Sequence, residues 1–346
     1  MRIAVLSADR SDRLGHPWNL GDAFLTDVLL AELDNRGHDA EAVDFGPQRS
    51  DGSSERTQAS GLKDLLRFIR AHDAVVVGGG TMLQDDNRSA QIGGLPRLCL
   101  AASVSAALTR RGLAYFGVGC DPVERRVPRL LLRGALYRRQ VWVREEDSLT
   151  RVQSDLGTRA RLSADACLLP AADTLLPPPA SLGSPPRDIV ALNKRDERLL
   201  RADFLEASRD RAGERPLLLA MSQGVDSSDL GAASLSFPAE TVEVGPYPLS
   251  WYNAARRVGG GRAVIASRMH ALYIGLLLDR PLLAIGASAK VVAFAEEFEI
   301  PLQESLTPAA LDLAKVANPE RVRVARKRAS DGLTDMLAHL SARVRK

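Results

Sequence analysis

Apolar positions along the first half of the chain fall in two alternating rhythms. Ile3–Leu6 is a short unbroken apolar run that reads as a strand, and Ala40–Phe45, Asp73–Val77 and Leu113–Val118 read as further strands. Between them lie stretches with helical spacing. From Asp22 to Arg36, Phe24, Leu25, Val28, Leu29 and Leu33 recur on one face, and Gly37 is a natural stop. Leu62–Arg70 and Leu95–Arg110 read as further helices, and residues 46–61 as a polar loop. Strands separated by helices of this length predict a parallel sheet.

The pattern restarts after a proline-dense stretch, Leu169–Arg187, which holds Pro170, Pro177, Pro178, Pro179, Pro185 and Pro186. No helix or central strand tolerates that density, so it reads as an interdomain linker. Strands are predicted at Ile189–Leu192, Leu217–Met221, Val242–Val244, Ala263–Ala266 and Leu282–Ile285, and helices at Ala289–Phe298 and over much of Pro319–Arg345. The fold expected is α/β, with two Rossmann-like, doubly wound domains facing a cleft. Its boundaries are 1–172 for the first domain, 173–187 for the linker, 188–318 for the second domain and 319–346 for a C-terminal helical segment.

Composition narrows the class. A length of 346 residues suits two domains. No apolar run reaches the length of roughly 18–20 residues that spans a bilayer. The N-terminus reads directly into a strand rather than a secretory signal. Cys99, Cys120 and Cys167 are odd in number and far apart, which points to neither a disulfide framework nor a metal pair and makes a reducing cytoplasm the expected setting. A net charge of +3 does not argue for nucleic acid. Only six of the 46 basic residues are lysines, so Lys290 is an uncommon choice in an arginine-rich chain.

Candidate chemistry sits at predicted strand ends, where open α/β sheets hold ligands. Arg268-Met269-His270 lies between a buried strand and an apolar helix, and Lys290 follows the next strand. Two cations and an imidazole at neighbouring strand ends suit an anionic substrate, because burying them without an anion is costly. Arg144 ends another strand run; it either meets an anion or pairs with the acids Glu145, Glu146 and Asp147 that follow. Asn19-Leu20-Gly21-Asp22 opens the first helix, as a polar-ligand site or simply as a helix start. Gly78-Gly79-Gly80-Thr81 is either a ligand contact or a tight turn; it has neither dinucleotide nor P-loop spacing. The arginine–leucine stretches Arg125–Arg139 and Arg321–Arg328 read as solvated helix faces, with peripheral contact to an acidic membrane as the minority reading.

Taken in order, these segments resemble the polysaccharide pyruvyl transferase family. The resemblance rests on Asn19-Leu20-Gly21-Asp22, Asp73–Asp85, Phe116-Gly117-Val118-Gly119, Val143–Leu149, Ser163–Ala166, Ser267–Ala271 and Lys290–Ala295, and runs from about residue 3 to residue 300. It implies a two-domain fold similar to GT-B glycosyltransferases. It implies transfer of a pyruvyl group from phosphoenolpyruvate to sugar hydroxyls as a cyclic ketal, with phosphate released. Phosphoenolpyruvate is then a donor substrate, and no cofactor or metal is expected. The acceptor implied is a sugar or glycosylated molecule, lipid-linked or not. Carried over to matching positions, His270 would be catalytic; Arg144, Arg268, His270, Ser288 and Lys290 would bind the donor; Asn19, Asp22, Gly79, Gly80, Thr81 and Gln84 would lie on the acceptor side.

Two positions depart from the family pattern. Arg268-Met269-His270 stands where Arg-Leu-His is common. Ala287-Ser288-Ala289-Lys290 stands where a Tyr-Asp-Pro-Lys-like run is common, so the lysine is kept without its tyrosine and acidic neighbours. Two other readings fit the same frame: a GT-B glycosyltransferase using a nucleotide sugar, whose diphosphate also wants cations, and a non-catalytic sugar-binding protein. The residues specify neither the acceptor nor an oligomeric state.

Overall fold

The structure, a computed structural model, describes residues 1–49, 55–86, 93–178, 187–223, 229 and 237–344. The chain divides into two compact units. The first comprises Met1–His16, Asp22–Ala172 and Ala325–Lys346; the second comprises Pro17–Gly21 and Asp173–Val324.

The first unit holds β1 (Arg2–Leu6), β2 (Asp39–Asp44), β3 (Arg56–Gln58), β4 (Ala74–Gly78), β5 (Gly112–Val118), β6 (Gln140–Val143) and β7 (Ala160–Leu162). They form one parallel sheet in the order β3-β2-β1-β4-β5-β6-β7. β4 and β5 are buried along their whole length, as strands covered on both faces must be. Val75, Val77 and Tyr115 pack in one core with Leu65, Ala102 and Leu132 from the flanking helices. The strand order reverses between β1 and β4, and such a switch point leaves a crevice at the carboxyl ends of the strands.

The second unit repeats the plan. β8 (Ile189–Ala191), β9 (Leu217–Leu218), β10 (Glu243–Val244), β11 (Val264–Ala266), β12 (Leu282–Ile285) and β13 (Leu302–Gln303) form a parallel sheet in the order β10-β9-β8-β11-β12-β13. Its switch point lies between β8 and β11. Phe204, Ile265, Leu283 and Ile285 lie at its core. Both units therefore show the doubly wound α/β order.

Three short strands escape the hydrophobic pattern. β3 lies inside the stretch 46–61 that reads as loop, because its sequence Arg-Thr-Gln is polar. Arg56 is nevertheless buried, its Nη2 lying 2.6 Å from Asp27 Oδ1 and 3.2 Å from Asp9 Oδ2. Buried charge is tolerated there because it is paired and hydrogen-bonded. β7 and β13 are edge strands of three and two residues, too short for a periodic signal. The proline-dense stretch is not free of helix: Ala172–Leu175 forms a single turn in the gap between Pro170 and Pro177, and residues 179–186 lie outside the described residues.

The last helix, Pro319–Val344, belongs to the first unit from Ala325 onward. Its buried stripe, Ala325, Ala329, Gly332, Leu333, Met336, Leu337 and Leu340, has helical spacing. Trp142 Nε1 donates to Asp335 over 3.1 Å, and Arg36 donates to Thr334 and Ser330.

Candidate active site

In the second unit, the carboxyl end of β11 runs through Ser267 into helix Met269–Leu277. Backbone N–H groups of Ser267 and Arg268 both donate to Ala191 O at the end of β8, at 3.1 and 3.3 Å. Asn193 donates to Ser267 Oγ from its backbone and its side chain, each at 3.0 Å, and its side chain also reaches Asp196 at 2.6 Å. The loop after β8 and the loop after β11 are thus stapled together across the switch point. That fixes where Arg268 and His270 begin.

Arg268 forms a two-pronged pair with Asp229: Nε lies 3.0 and 2.9 Å from its two oxygens, and Nη2 also meets Oδ1. Asp229 accepts two further bonds, from the backbone N–H groups of Met221 and Ser222, at 3.1 Å each. Burial pushes the Asp229 carboxyl above the usual range, against the pull of Arg268 and the two N–H groups. Arg268 keeps 22% of its side chain exposed while Asp229 keeps none, so the cation still presents a face to solvent. No sequence pattern around Asp229 marks it as a partner; pairing across 39 residues is visible only in three dimensions.

His270 sits in the first turn of helix Met269–Leu277, half-buried, with Nε2 shielded from solvent. Its ring lies against the backbone of Gly21. A Cβ added at Gly21 would fall 1.8 Å from His270 Nδ1 and 2.1 Å from Cγ, so only glycine permits this approach. The segment carrying Gly21 belongs to the second unit. Asn19 forms an antiparallel bridge with Ser222, Leu20 N donates to Met221 O at 3.0 Å, and Gln223 N donates to Trp18 O at 2.9 Å. Asn19 Oδ1 accepts from Gly21 N at 2.9 Å and so caps the start of helix Leu20–Asn35. Asn19, read from sequence as acceptor-side, thus shares a unit with His270.

Lys290 lies in the first turn of helix Ala289–Phe298, half-buried. Ser288 is exposed and caps that helix, its Oγ accepting from Val291 N at 3.4 Å. The helices bearing His270 and Lys290 are tied by an aromatic cluster: Tyr273 stands edge-on to Phe294 at 4.8 Å, and Phe294 contacts Phe298 at 4.7 Å. Tyr273 is also one turn from His270, with ring centroids 6.5 Å apart. Gly286, at φ +102°, turns the chain out of β12 where a Cβ would meet Asp196 at 3.0 Å.

In the first unit, Gly79 and Gly80 both adopt positive φ, +76° and +68°. A Cβ at Gly80 would lie 2.7 Å from Asp22 Oδ1, so the glycines serve both a left-handed turn and a close approach. Thr81 Oγ1 accepts from Arg144 at 3.1 Å, and Gln84 is half-buried two residues past Met82. Arg144 itself is buried, with 3% of its side chain exposed. It donates to Glu145 at 2.7 Å and to Asp165 at 2.9 Å. Its fork is therefore engaged by protein groups, the acid-pairing alternative open on sequence. Asp165 has no local signature of this pairing, because its partner lies 21 residues away.

The thiols add no nucleophile: Cys99, Cys120 and Cys167 are buried, and burial pushes Cys99 and Cys120 up to about 12. Among the described residues, no group of three or more His, Cys, Asp or Glu could hold a metal ion. Nor is any helix there long and apolar enough to cross a membrane.

Comparison with solved structures agrees with the topology. The chain is similar to UDP-GlcNAc 2-epimerase from Neisseria meningitidis bound to UDP-GlcNAc (10% identity, TM-score 0.57, covering 97% of this chain and 100% of that one). It is also similar to HepE from Anabaena in complex with UDP (11%, 0.58, 99% and 100%) and a glycosyltransferase from Rickettsia africae (11%, 0.53, 99% and 98%). At such identities the likeness shows the fold alone, and that fold is GT-B-like. No curated protein matches the chain in sequence. A family model for polysaccharide pyruvyl transferase matches residues 19–288, well over half of the 346. The chain belongs to the polysaccharide pyruvyl transferase family, a family of transferases.

Proposed function

We propose that the protein moves a pyruvyl group from phosphoenolpyruvate onto two hydroxyls of a sugar, forming a carboxyethylidene ketal and releasing phosphate. The observation that carries this reading is His270, packed against Gly21 at the switch point of the second sheet beside Arg268, in a chain that belongs to this family. Phosphoenolpyruvate brings a carboxylate and a phosphate. Arg268, held by Asp229 but still partly exposed, brings its positive charge to one anionic group, and Lys290 brings a compact charge to the other. Ser288, at the N-terminus of the helix that carries Lys290, adds a hydroxyl on the donor side.

The chemistry protonates one carbon of phosphoenolpyruvate and exchanges oxygen substituents at its neighbour. A proton goes to the methylene carbon, making it a methyl group. The first sugar hydroxyl then bonds to the adjacent carbon and gives up its proton. The bond from that carbon to the phosphate oxygen breaks, phosphate leaves, and the second hydroxyl closes the ring with loss of its proton. Two protons leave the hydroxyls; one replaces that spent on the methylene and one departs with phosphate. An imidazole can both give and take a proton, and we assign that role to His270. Cations near the departing phosphate stabilise the charge that develops.

On the acceptor side we place Asp22, Gly79, Gly80, Thr81 and Gln84 of the first unit; Asn19 lies with His270 in the second. Arg144, through Thr81 and Asp165, holds the glycine turn in shape in this reading.

The test is mass spectrometry of a panel of free and nucleotide-linked sugars incubated with protein and phosphoenolpyruvate. One sugar should gain the mass of pyruvate less one water, with equimolar phosphate. Consumption of a nucleotide sugar with phosphoenolpyruvate untouched would favour the glycosyltransferase reading instead.

A further inference from the structure

One face of the first unit remains unexplained by any of this chemistry. Helices Gly94–Leu108 and Arg126–Leu136 pack side by side, with Leu100 against Gly134. Their outward sides are apolar where a solvated helix face is polar. Leu108 is 71% exposed, Leu130 63% and Tyr137 66%, and Val104 and Val127 are exposed beside them. Apolar side chains at this exposure, grouped on two neighbouring helices, mark a contact surface rather than scattered exceptions.

The charge around this face is mostly positive; Arg125 is paired with Asp85. Residues 93–112 contain Arg97, Arg110 and Arg111 and no acid; residues 125–143 contain six arginines and no acid. Several of these guanidinium groups bond to carbonyl oxygens rather than carboxylates: Arg129 to Val123, Arg133 to Asp155 and Arg111 to Arg70. Their charge is therefore not neutralised within the fold. Where helix Gly94–Leu108 ends, a depression of about 440 Å³ is lined by Arg110, Arg111, Arg139 and Arg343. It shares Arg110 and Arg111 with a second depression of about 560 Å³ that reaches Leu108, Lys63 and Arg70.

We propose that this two-helix face docks the protein peripherally on an anionic lipid surface, with Leu108, Leu130 and Tyr137 entering the headgroup layer and the arginine-lined depressions receiving lipid phosphates. The combination of apolar side chains with arginines on the same helices and in the adjoining depressions suits an interface that is apolar below and negative above. A second copy of the chain is disfavoured as occupant, because pairing the face with itself would set arginines against arginines. The inference does not rest on the donor chemistry proposed above, since none of these residues belongs to it.

Co-sedimentation of the full chain with vesicles tests it, comparing phosphatidylglycerol–phosphatidylcholine mixtures with phosphatidylcholine alone. Binding should appear only on the anionic vesicles and weaken as salt screens the charges. The exposed-residue variant Leu108→Asp/Leu130→Asp and the charge variant Arg110→Glu/Arg111→Glu should each reduce binding at least tenfold with unchanged circular dichroism. Absence of binding to anionic vesicles would overturn the proposal. So would binding that ignores the leucine variant, which would reduce the face to a general polyanion patch. Sedimentation velocity that finds a dimer lost in the leucine variant would give the face to a second copy and overturn it equally.

Discussion

His270 and Gly21 are the pair on which the site turns. A histidine beside an apolar helix says little alone. A glycine whose Cβ would overlap the imidazole says that the ring's place is fixed by backbone, not by chance packing. Inside a helix, glycine to alanine ordinarily stabilises by up to about 1 kcal/mol. Here Gly21→Ala must displace either the ring or the helix start, and misplacing a reacting group by about 1 Å can cost about 100-fold in rate. We expect phosphate release from phosphoenolpyruvate to fall by about that factor in Gly21→Ala while the protein remains folded. Turnover near the wild-type rate would show that the ring's position is not critical.

At the scale of elements, the strands position everything and the loops at their ends carry the chemistry. Arg144 directly follows β6 and ties Thr81, Glu145 and Asp165 into one buried network. Removing one member of a buried pair leaves an uncompensated charge, here the fully buried Asp165. Arg144→Ala should lose about 3–5 kcal/mol of unfolding free energy in urea at neutral pH. A loss below about 1 kcal/mol would mean that the network adds little to the fold.

The last helix carries a second, pH-dependent test. Burial, then the nearby Arg343 and Arg161, hold His339 below its ordinary value of 6.5. The folded chain thus binds that proton less readily than the unfolded chain, so this contribution is present above pH 6.5 and is lost as pH falls through it. The thermal midpoint should drop on going from pH 7.5 to 5.5, and drop less in His339→Gln. Identical pH profiles for the two proteins would remove His339 from that dependence.

Element scale is also where the sequence speaks most clearly. Val75-Val76-Val77 and Leu282–Ile285 announce themselves because strands buried on both faces are apolar throughout. β3 stays silent because Arg56 is buried by pairing with Asp9 and Asp27 rather than by hydrophobicity. Arg268, His270 and Lys290 are legible from their positions after apolar runs. Asp229, which holds Arg268, and Asn193 and Ser267, which hold the loop before it, are ordinary polar residues whose partners lie far along the chain. The role of Gly21 is likewise invisible without the ring that faces it.

For the whole molecule, chain order and spatial membership diverge in two places. Pro17–Gly21 groups with the second unit and Ala325–Lys346 with the first. Neither exchange follows from composition, because the residues concerned are no different in kind from their neighbours; contacts such as Leu20 N to Met221 O and Trp142 to Asp335 decide it. We propose that the second unit receives phosphoenolpyruvate through Arg268, His270 and Lys290. Calorimetric titration of the full chain with phosphoenolpyruvate, beside Lys290→Ala and with UDP as comparison, tests it without knowledge of the acceptor. A charge-assisted hydrogen bond to an anion is worth about 1.5–3 kcal/mol, which is about 10- to 150-fold in affinity. Saturable binding of phosphoenolpyruvate that weakens by that factor in Lys290→Ala is the predicted result; binding of UDP with no binding of phosphoenolpyruvate would contradict it.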